Sequence, residues 1–254
     1  MTEQQARPPE VATEVAGTPE EVWRLLATGP GISRWFMPAT VEPHVGGKII
    51  QRHGSGDDDV SHGTISAYQP PHRFAYEEDW EGRTVATEFL VQAQSGGSCV
   101  VRVVTHGLTA DDADFVGDLV SGWTQALATL RVYLATFTGR PAGSTRLWTQ
   151  PGGTLDEAWS DTIRRAGLDG VAVGERVERT NGAQPPFTGV VELVQEHGVL
   201  VHVDAPHPGV LSFIASNFGG QTSVVIDRSV YADNDPQATA EAERRAWETH
   251  LAAR

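Results

Sequence analysis

The chain has 254 residues, of which 39% are hydrophobic and 20% are charged, and its formal net charge is -14. This composition indicates a soluble globular protein of one large or two ordinary domains and excludes an intrinsically disordered chain. Because so acidic a surface repels phosphate backbones and anionic lipid, neither nucleic acid nor a membrane is an expected partner.

The N-terminal part of the chain predicts a tail, a strand and a helix. Residues 1–10 are polar and predict a flexible tail without the apolar core of a signal peptide. Alternating side chains over Val11–Val15 predict a short strand. Thr18 and Glu21 stand at the spacing of a capping box, which indicates the start of a helix. The glycines and proline at 29–31 end that helix.

A run of alternating segments follows, separated by short stretches rich in glycine, proline, aspartate and serine. These segments are residues 47–53, 63–68, 73–80, 84–94 and 98–106. The pattern predicts antiparallel hairpins. From Asp111 to Phe137 the apolar residues recur every three or four positions, which indicates a long amphipathic helix. The order of strand, helix, antiparallel meander and long helix is that of an α+β domain.

The second half of the chain repeats this order in a weaker form. Residues 139–144 are interpreted as a linker. After it, Gly189 repeats the surroundings of Gly63, and the last predicted helix carries a tryptophan as the first long helix does. Because the order of such matches is preserved, we expect residues 145–254 to be a degenerate second copy. The alternative is an unrelated extension that packs on the first domain.

Four motifs carry a resemblance to a known family. They are Trp35-Phe36-Met37-Pro38, the Gly46-Gly47 pair, Gly63 followed by Pro70-Pro71, and Gly122-Trp123. Over residues 11–137 the chain resembles the activator of Hsp90 ATPase homologue 1-like family of the START/Bet v 1 (SRPBCC) superfamily. The resemblance implies a helix-grip fold, in which a seven-stranded antiparallel sheet wraps round a long C-terminal helix and leaves a cavity between them. We therefore expect one such domain over 11–138 and a degenerate second one over 145–254.

The same resemblance leaves the function open. Members of the superfamily bind lipids, polyketides and hormones, and some catalyse cyclisation or hydrolysis, so the fold alone does not decide among these roles. Binding to Hsp90 is not implied, because that contact in the eukaryotic co-chaperone depends largely on a separate N-terminal domain, and the sequence shows no counterpart of it.

Aromatic and apolar side chains of the first half are candidates for the walls of the cavity. Phe74, Tyr76 and Glu78 share one face of their strand, because side chains alternate. If that face points at the long helix, it lines an apolar pocket suited to a small molecule; otherwise the same residues fill a core. The candidate ligand-binding residues are Trp35, Phe36, Tyr68, Phe74, Tyr76, Glu78, Phe89, Leu119, Trp123 and Leu127.

Polar groups inside such a pocket would orient a ligand, and the candidates are Tyr76, Glu78, Thr87, Arg102, His106 and Gln125. For catalysis, Tyr76, Glu78, Arg102 and His106 are the first to examine. An inward Glu78 needs a partner or a raised pKa, although residues 77–79 also fit a solvated run of charges. The leading hypothesis is the binding of a small apolar molecule. The alternatives are an enzyme of the cyclase or hydrolase type that uses the same cavity, and a stress-related module that binds another protein.

The sequence predicts no catalytic residue, no metal site and no cofactor. His202, Asp204 and His207 form the tightest cluster of possible ligands, but their spacing does not suit a metal. Cys99, the single cysteine, lies in a valine-rich strand with no histidine in register, which indicates an inert buried thiol. With no apolar run long enough for a membrane span, we expect a cytoplasmic protein.

Overall fold

The computed structural model describes residues 7–54, 59–80, 82–217, 220–232 and 234–253, and it consists of two sheet–helix units. The elements of the first unit are β1 (Glu10–Ala16), α1 (Pro19–Leu26), α2 (Gly29–Ile32), β2 (Ala39–Val41), β3 (Lys48–Arg52), β4 (Val60–Gln69), β5 (Arg73–Trp80), β6 (Arg83–Ala93), β7 (Ser98–His106) and α3 (Ala113–Val132). A π-helical turn over Tyr133–Phe137 extends α3. The strands form one antiparallel sheet in the order β1-β7-β6-β5-β4-β3-β2.

The second unit follows the same course with one strand fewer. Its elements are β8 (Ala142–Thr149), α4 (Leu155–Arg165), β9 (Arg176–Arg179), β10 (Phe187–Gln195), β11 (Gly198–Ala205), β12 (Gly209–Ser216), β13 (Ser223–Tyr231) and α5 (Pro236–Ala252). Its sheet has the order β8-β13-β12-β11-β10-β9. The structure is thus an α+β helix-grip fold that occurs twice in tandem, and both parts of that prediction are confirmed.

The first helix of each unit, α1 or α4, begins in the same way. Thr18 accepts a hydrogen bond from the Glu21 amide at 3.3 Å, and its own amide donates to the Glu21 carboxylate at 2.8 Å. Thr154 and Glu157 make the same pair of bonds, at 3.3 and 2.9 Å. These reciprocal bonds satisfy amide groups that a helix N-terminus leaves unpaired. The predicted capping box at Thr18 is therefore present and is repeated in the second unit.

The turn before the central hairpins is also shared and shows which strand is missing. In the first unit the Gly46 amide donates to the Ile65 carbonyl at 2.8 Å, and in the second the Gly174 amide donates to the Val191 carbonyl at 2.8 Å. Both glycines have a positive φ, 83° and 84°, which other residues adopt with difficulty. Because β3 and β9 follow these turns, β9 is the counterpart of β3, and the second unit lacks a counterpart of β2.

Helix α3 lies between the two sheets. The apolar core around Leu127 and Leu130 of α3 also contains Leu200, Val210 and Tyr231 of the second unit. The opposite face of the second sheet packs on α5, where Trp247 is only 1% exposed. Both faces of this sheet are therefore covered, which explains why its central strands are buried almost without interruption.

Two boundaries differ from those expected. Strand β8 begins at Ala142, inside the segment 139–144 that the sequence assigns to a linker. Gly143 serves close packing there, because a Cβ atom on it would lie 2.3 Å from the carbonyl carbon of Pro236. In the predicted tail, residues 1–6 lie outside the described part, whereas Glu10 already pairs with Val104 in the sheet.

None of the helices in the described ranges combines the length and the apolar character needed to cross a membrane.

Candidate functional site

A cavity of about 930 Å³ lies between the first sheet, α3 and the face of the second sheet that packs on α3. Strands β3 to β7 form one wall, the α3 residues from Phe115 to Thr129 form another, and β8, β12 and β13 form the third. The sequence places a cavity between the first sheet and α3 but does not predict the third wall, which comes from the second unit.

Stacked aromatic rings line the cavity beside α3. The rings of Trp35 and Phe36 lie 5.5 Å apart, and those of Phe36 and Trp123 lie 5.2 Å apart, each pair with an interplanar angle of 26°. The indole of Trp35 is held in place because its Nε1 donates to the Leu25 carbonyl at 3.0 Å. Four further aromatic residues line the cavity, namely Tyr76, Trp80, Phe115 and Trp148.

The cavity brings together part of the predicted site. The predicted residues that line it are Trp35, Phe36, Tyr76, Glu78, Leu119 and Trp123. The other four pack in the core next to it. Tyr68 and Phe74 contact Trp23 of α1, at ring distances of 5.2 and 6.3 Å, Phe89 meets Trp123 edge-on at 5.5 Å, and Leu127 is 1% exposed. The alternation along β5 is as predicted, but α1 covers the end of the sheet that carries Tyr68 and Phe74.

Glu78 reaches into the cavity because the strand beside it carries a glycine. Glu78 of β5 lies opposite Gly63 of β4. A Cβ atom on Gly63 would lie 3.2 Å from the Glu78 Cγ and 2.7 Å from a methyl group of Ile49, so a larger residue would displace both. Burial raises the pKa of Glu78, and the nearby Ser61 hydroxyl offsets part of that rise. The Ser61 Oγ is itself buried and, within the described ranges, reaches no partner at hydrogen-bonding geometry.

Tyr76 lies next to Glu78 on the same face of β5 and is 3% exposed. Burial raises the pKa of its phenol, and the Glu78 carboxylate raises it further, while Thr87 and Gln51 act in the opposite direction. The hydroxyl is therefore a neutral hydrogen-bonding group at any ordinary pH.

The second unit contributes an ion pair to the cavity wall. The Nε and Nη2 atoms of Arg146 donate to the two carboxylate oxygens of Asp227 at 2.6 and 2.9 Å. This bidentate geometry neutralises the guanidinium and fixes its plane. Across the cavity, burial lowers the pKa of His53, the positive charge of Arg146 lowers it further, and Asp59 opposes this. His53 is consequently neutral near pH 7.

Two of the polar groups proposed from the sequence lie away from the cavity. Arg102 stands 3.7 Å from Glu10, and His106 stands 3.1 Å from Glu88, and both side chains are more than 40% exposed. Gln51 and Ser61, which the sequence did not single out, share the inward face of β3 and β4 and could have been found from alternation. Arg146 could not, because its role depends on how the second sheet docks.

The remaining chemical candidates do not form a site among the described residues. No group of three or more histidine, cysteine, aspartate and glutamate side chains there is arranged to hold a metal ion. Asp204 pairs with Arg176 at 2.7 Å, and His207 is hydrogen-bonded to Glu243 at 2.7 Å, so the cluster around His202 is divided among separate partners. Cys99 is fully buried, and burial raises the pKa of its thiol.

Comparison with known proteins gives a family match for the first unit. A family model described as activator of Hsp90 ATPase homolog 1-like protein matches residues 16–135. No curated protein matches the chain.

Several solved structures are similar to this chain. DynU16, a protein in the dynemicin biosynthetic locus, is 16% identical, with a TM-score of 0.46, and the match covers 96% of each chain. Protein MLL2253 from Mesorhizobium loti is 22% identical, with a TM-score of 0.43, and the match covers 50% of this chain and 96% of that one. The Aha1 dimer from Colwellia psychrerythraea is 16% identical, with a TM-score of 0.42, and covers 51% of this chain and 97% of its own.

Proposed function

Residues 16–135 belong to the activator of Hsp90 ATPase homologue 1-like family, and from that premise we propose that this protein binds a small, largely apolar molecule in the cavity beside α3. The observation that carries the proposal is the cavity itself. Its volume of about 930 Å³ falls within the range of roughly 300–1,000 Å³ that is usual for small-molecule sites.

The lining of the cavity supports the same function. Ligand sites are mostly apolar and hold a few polar groups that fix the orientation of the ligand. Here the stack of Trp35, Phe36 and Trp123 supplies flat apolar surface. Tyr76 and Glu78 supply polar atoms at one side. In the second unit Trp247 packs edge-on against Phe213 at 5.1 Å in the core between the sheet and α5, so the proposal places the ligand beside α3 rather than beside α5.

The cyclase or hydrolase alternative has weaker support. Of its four candidate groups, Tyr76 and Glu78 line the cavity, whereas Arg102 and His106 face outward. The protein-partner alternative requires a continuous exposed apolar patch. Among the described residues, the large apolar side chains exposed by 40% or more are Val45, Trp148, Val173 and Val194, which lie in different elements. Binding therefore remains the function with the most support.

Helix α3 offers a matched pair of variants to test the proposal. Gly122 lines the cavity, and a Cβ atom on it would meet nothing within 4 Å. Gly117 lies in the same helix, is exposed and has equally open surroundings. Leucine in place of either glycine favours the helix by about 0.5–1 kcal/mol, but only Gly122→Leu fills part of the cavity.

Native mass spectrometry of freshly purified protein, followed by titration with naphthylmethanol, a neutral aromatic probe, provides the measurement. We expect the wild type and Gly117→Leu to retain a co-purifying small molecule or to bind the probe. Gly122→Leu should lose most or all of that binding, and its Tm should be unchanged or higher. If Gly122→Leu binds as well as Gly117→Leu, the ligand does not occupy this cavity.

A further inference from the structure

Among the described residues, Glu78 is a cavity-facing carboxylate without a positively charged partner. Among the described residues it takes part in none of the ion pairs, and the influences on its pKa are burial and the Ser61 hydroxyl, with no cation among them. Glu78 is half-buried, and a carboxylate in such a position is costly unless something pairs with it. Burial of an unpaired acid at the edge of a cavity is typical of a functional group.

Aromatic rings flank this carboxylate on its own strand. Tyr76 and Trp80 lie two residues to either side of Glu78 on the same face of β5, each about 7 Å away along the strand. The Trp80 ring already carries a cation, because the Arg83 guanidinium lies over it at 5.3 Å from the ring centroid. The faces of aromatic rings attract positive charge, most strongly where water is excluded.

The other charged groups of the lining add to this preference. Near neutral pH the described lining holds five carboxylates, one guanidinium and one imidazole. The guanidinium of Arg146 is neutralised by Asp227, and burial keeps the imidazole of His53 neutral by lowering its pKa. The described lining therefore holds more carboxylates than cationic groups, which disfavours an anionic ligand.

We propose that the ligand is an organic cation, an aromatic or otherwise apolar amine or quaternary ammonium compound whose positive group lies against the Glu78 carboxylate between Tyr76 and Trp80. The inference rests on the proposed function and specifies its ligand class. The apolar body of the ligand lies along the stack of Trp35, Phe36 and Trp123.

Three probes with one ring system and different charges test this proposal: naphthylmethyl-trimethylammonium, naphthylmethanol and naphthalene sulfonate. Calorimetric titrations at physiological salt should show the ammonium compound binding about ten-fold more tightly than the alcohol, and the sulfonate binding most weakly. Glu78→Gln should remove most of the preference for the cation and leave the affinity for the alcohol unchanged.

Glu77→Gln is the matched control, because it changes the net charge equally on the outward face of the same strand. Gly122→Leu should abolish binding of the ammonium compound. This result would distinguish binding inside the cavity from nonspecific attraction to the acidic surface. If the alcohol or the sulfonate binds as tightly as the cation, or if Glu77→Gln weakens the cation as much as Glu78→Gln, the ligand class is wrong while the proposed function stands. If none of the three binds, both proposals fail.

Discussion

Glu78 stands at a position where a charged side chain is expected to cost stability. Its carboxylate lies opposite a glycine and faces the cavity, so it loses water contacts on folding, and none of the described residues supplies a cation in return. The raised pKa expresses this cost, because burial disfavours the charged form. Replacing the group with a neutral one of the same shape should therefore make the ligand-free protein more stable.

We expect Glu78→Gln to be more stable than the wild type at pH 7–8, and the difference to vanish near pH 4. The sign follows because the pKa of Glu78 is higher in the folded than in the unfolded protein. Protonated Glu78 makes its full favourable contribution to the free energy of unfolding below its pKa in the unfolded chain, about 4.3, and this contribution is lost as the pH rises through its pKa in the folded protein. His53 titrates in both proteins, so its contribution cancels in the difference. Urea unfolding at several pH values measures the effect, and equal stabilities at pH 8 would contradict it.

The two capped helices show that corresponding elements use the same local bonds. Thr18 and Thr154 each exchange two hydrogen bonds with a glutamate three residues later. Both follow a glycine with positive φ, Gly17 at 112° and Gly153 at 96°, which sets the direction in which the chain enters the helix. The two caps should therefore contribute to stability to a similar extent.

Thr18→Ala and Thr154→Ala are each expected to lower the free energy of unfolding by about 1 kcal/mol, because each leaves an amide at the helix N-terminus without its side-chain acceptor. Thr18→Ser and Thr154→Ser keep the hydroxyl and should restore most of the loss. Chemical denaturation of the four variants gives the values. A loss confined to one of the two alanine variants would show that the helices are not equivalent.

In the whole molecule, α3 is a shared element of the two units. On one side it covers the first sheet and the cavity, and on the other it donates hydrogen bonds to the second sheet. The Gln125 Nε2 lies 2.9 Å from the Val199 carbonyl, 2.7 Å from the Ser212 hydroxyl and 3.0 Å from the Phe213 carbonyl. Tyr231 reaches back from β13 and donates to the Arg34 carbonyl at 2.7 Å. The shared core and these bonds predict that the two units unfold together.

Gln125→Leu should destabilise the protein by about 1–3 kcal/mol, because it leaves buried acceptors of the second sheet without a donor. Within the described part of the chain, the neighbouring Thr124 side chain bonds only inside α3, to the Val120 carbonyl at 2.7 Å, so Thr124→Ala should have a much smaller effect. Calorimetry of the wild type should show one transition that Gln125→Leu shifts as a whole. Two separate transitions in the wild type would mean that the units fold independently.

Periodicity and caps in the sequence were sufficient to determine most of the fold. The alternation over 73–80 and 98–106 matches β5 and β7 in full. The match of Gly189 to Gly63 and the tryptophan of the last helix predict the second unit. Strand β2, with three residues, is too short for alternation to detect. The sequence assigns 139–144 to a linker although β8 begins at Ala142. Gly143 permits a close approach of β8 to Pro236, and such a glycine cannot be told in the sequence from one in a flexible linker.

The sequence by itself determined which side chains share a face of each strand or helix, because alternation and helical periodicity are local properties of the chain. The tertiary structure alone decided what covers each face. It placed α1 over Tyr68 and Phe74, and it brought the second sheet against α3 so that Arg146 and Asp227 became a wall of the cavity. Such contacts join residues far apart in the chain, and their choice depends on how two large apolar surfaces fit together, which no local pattern encodes.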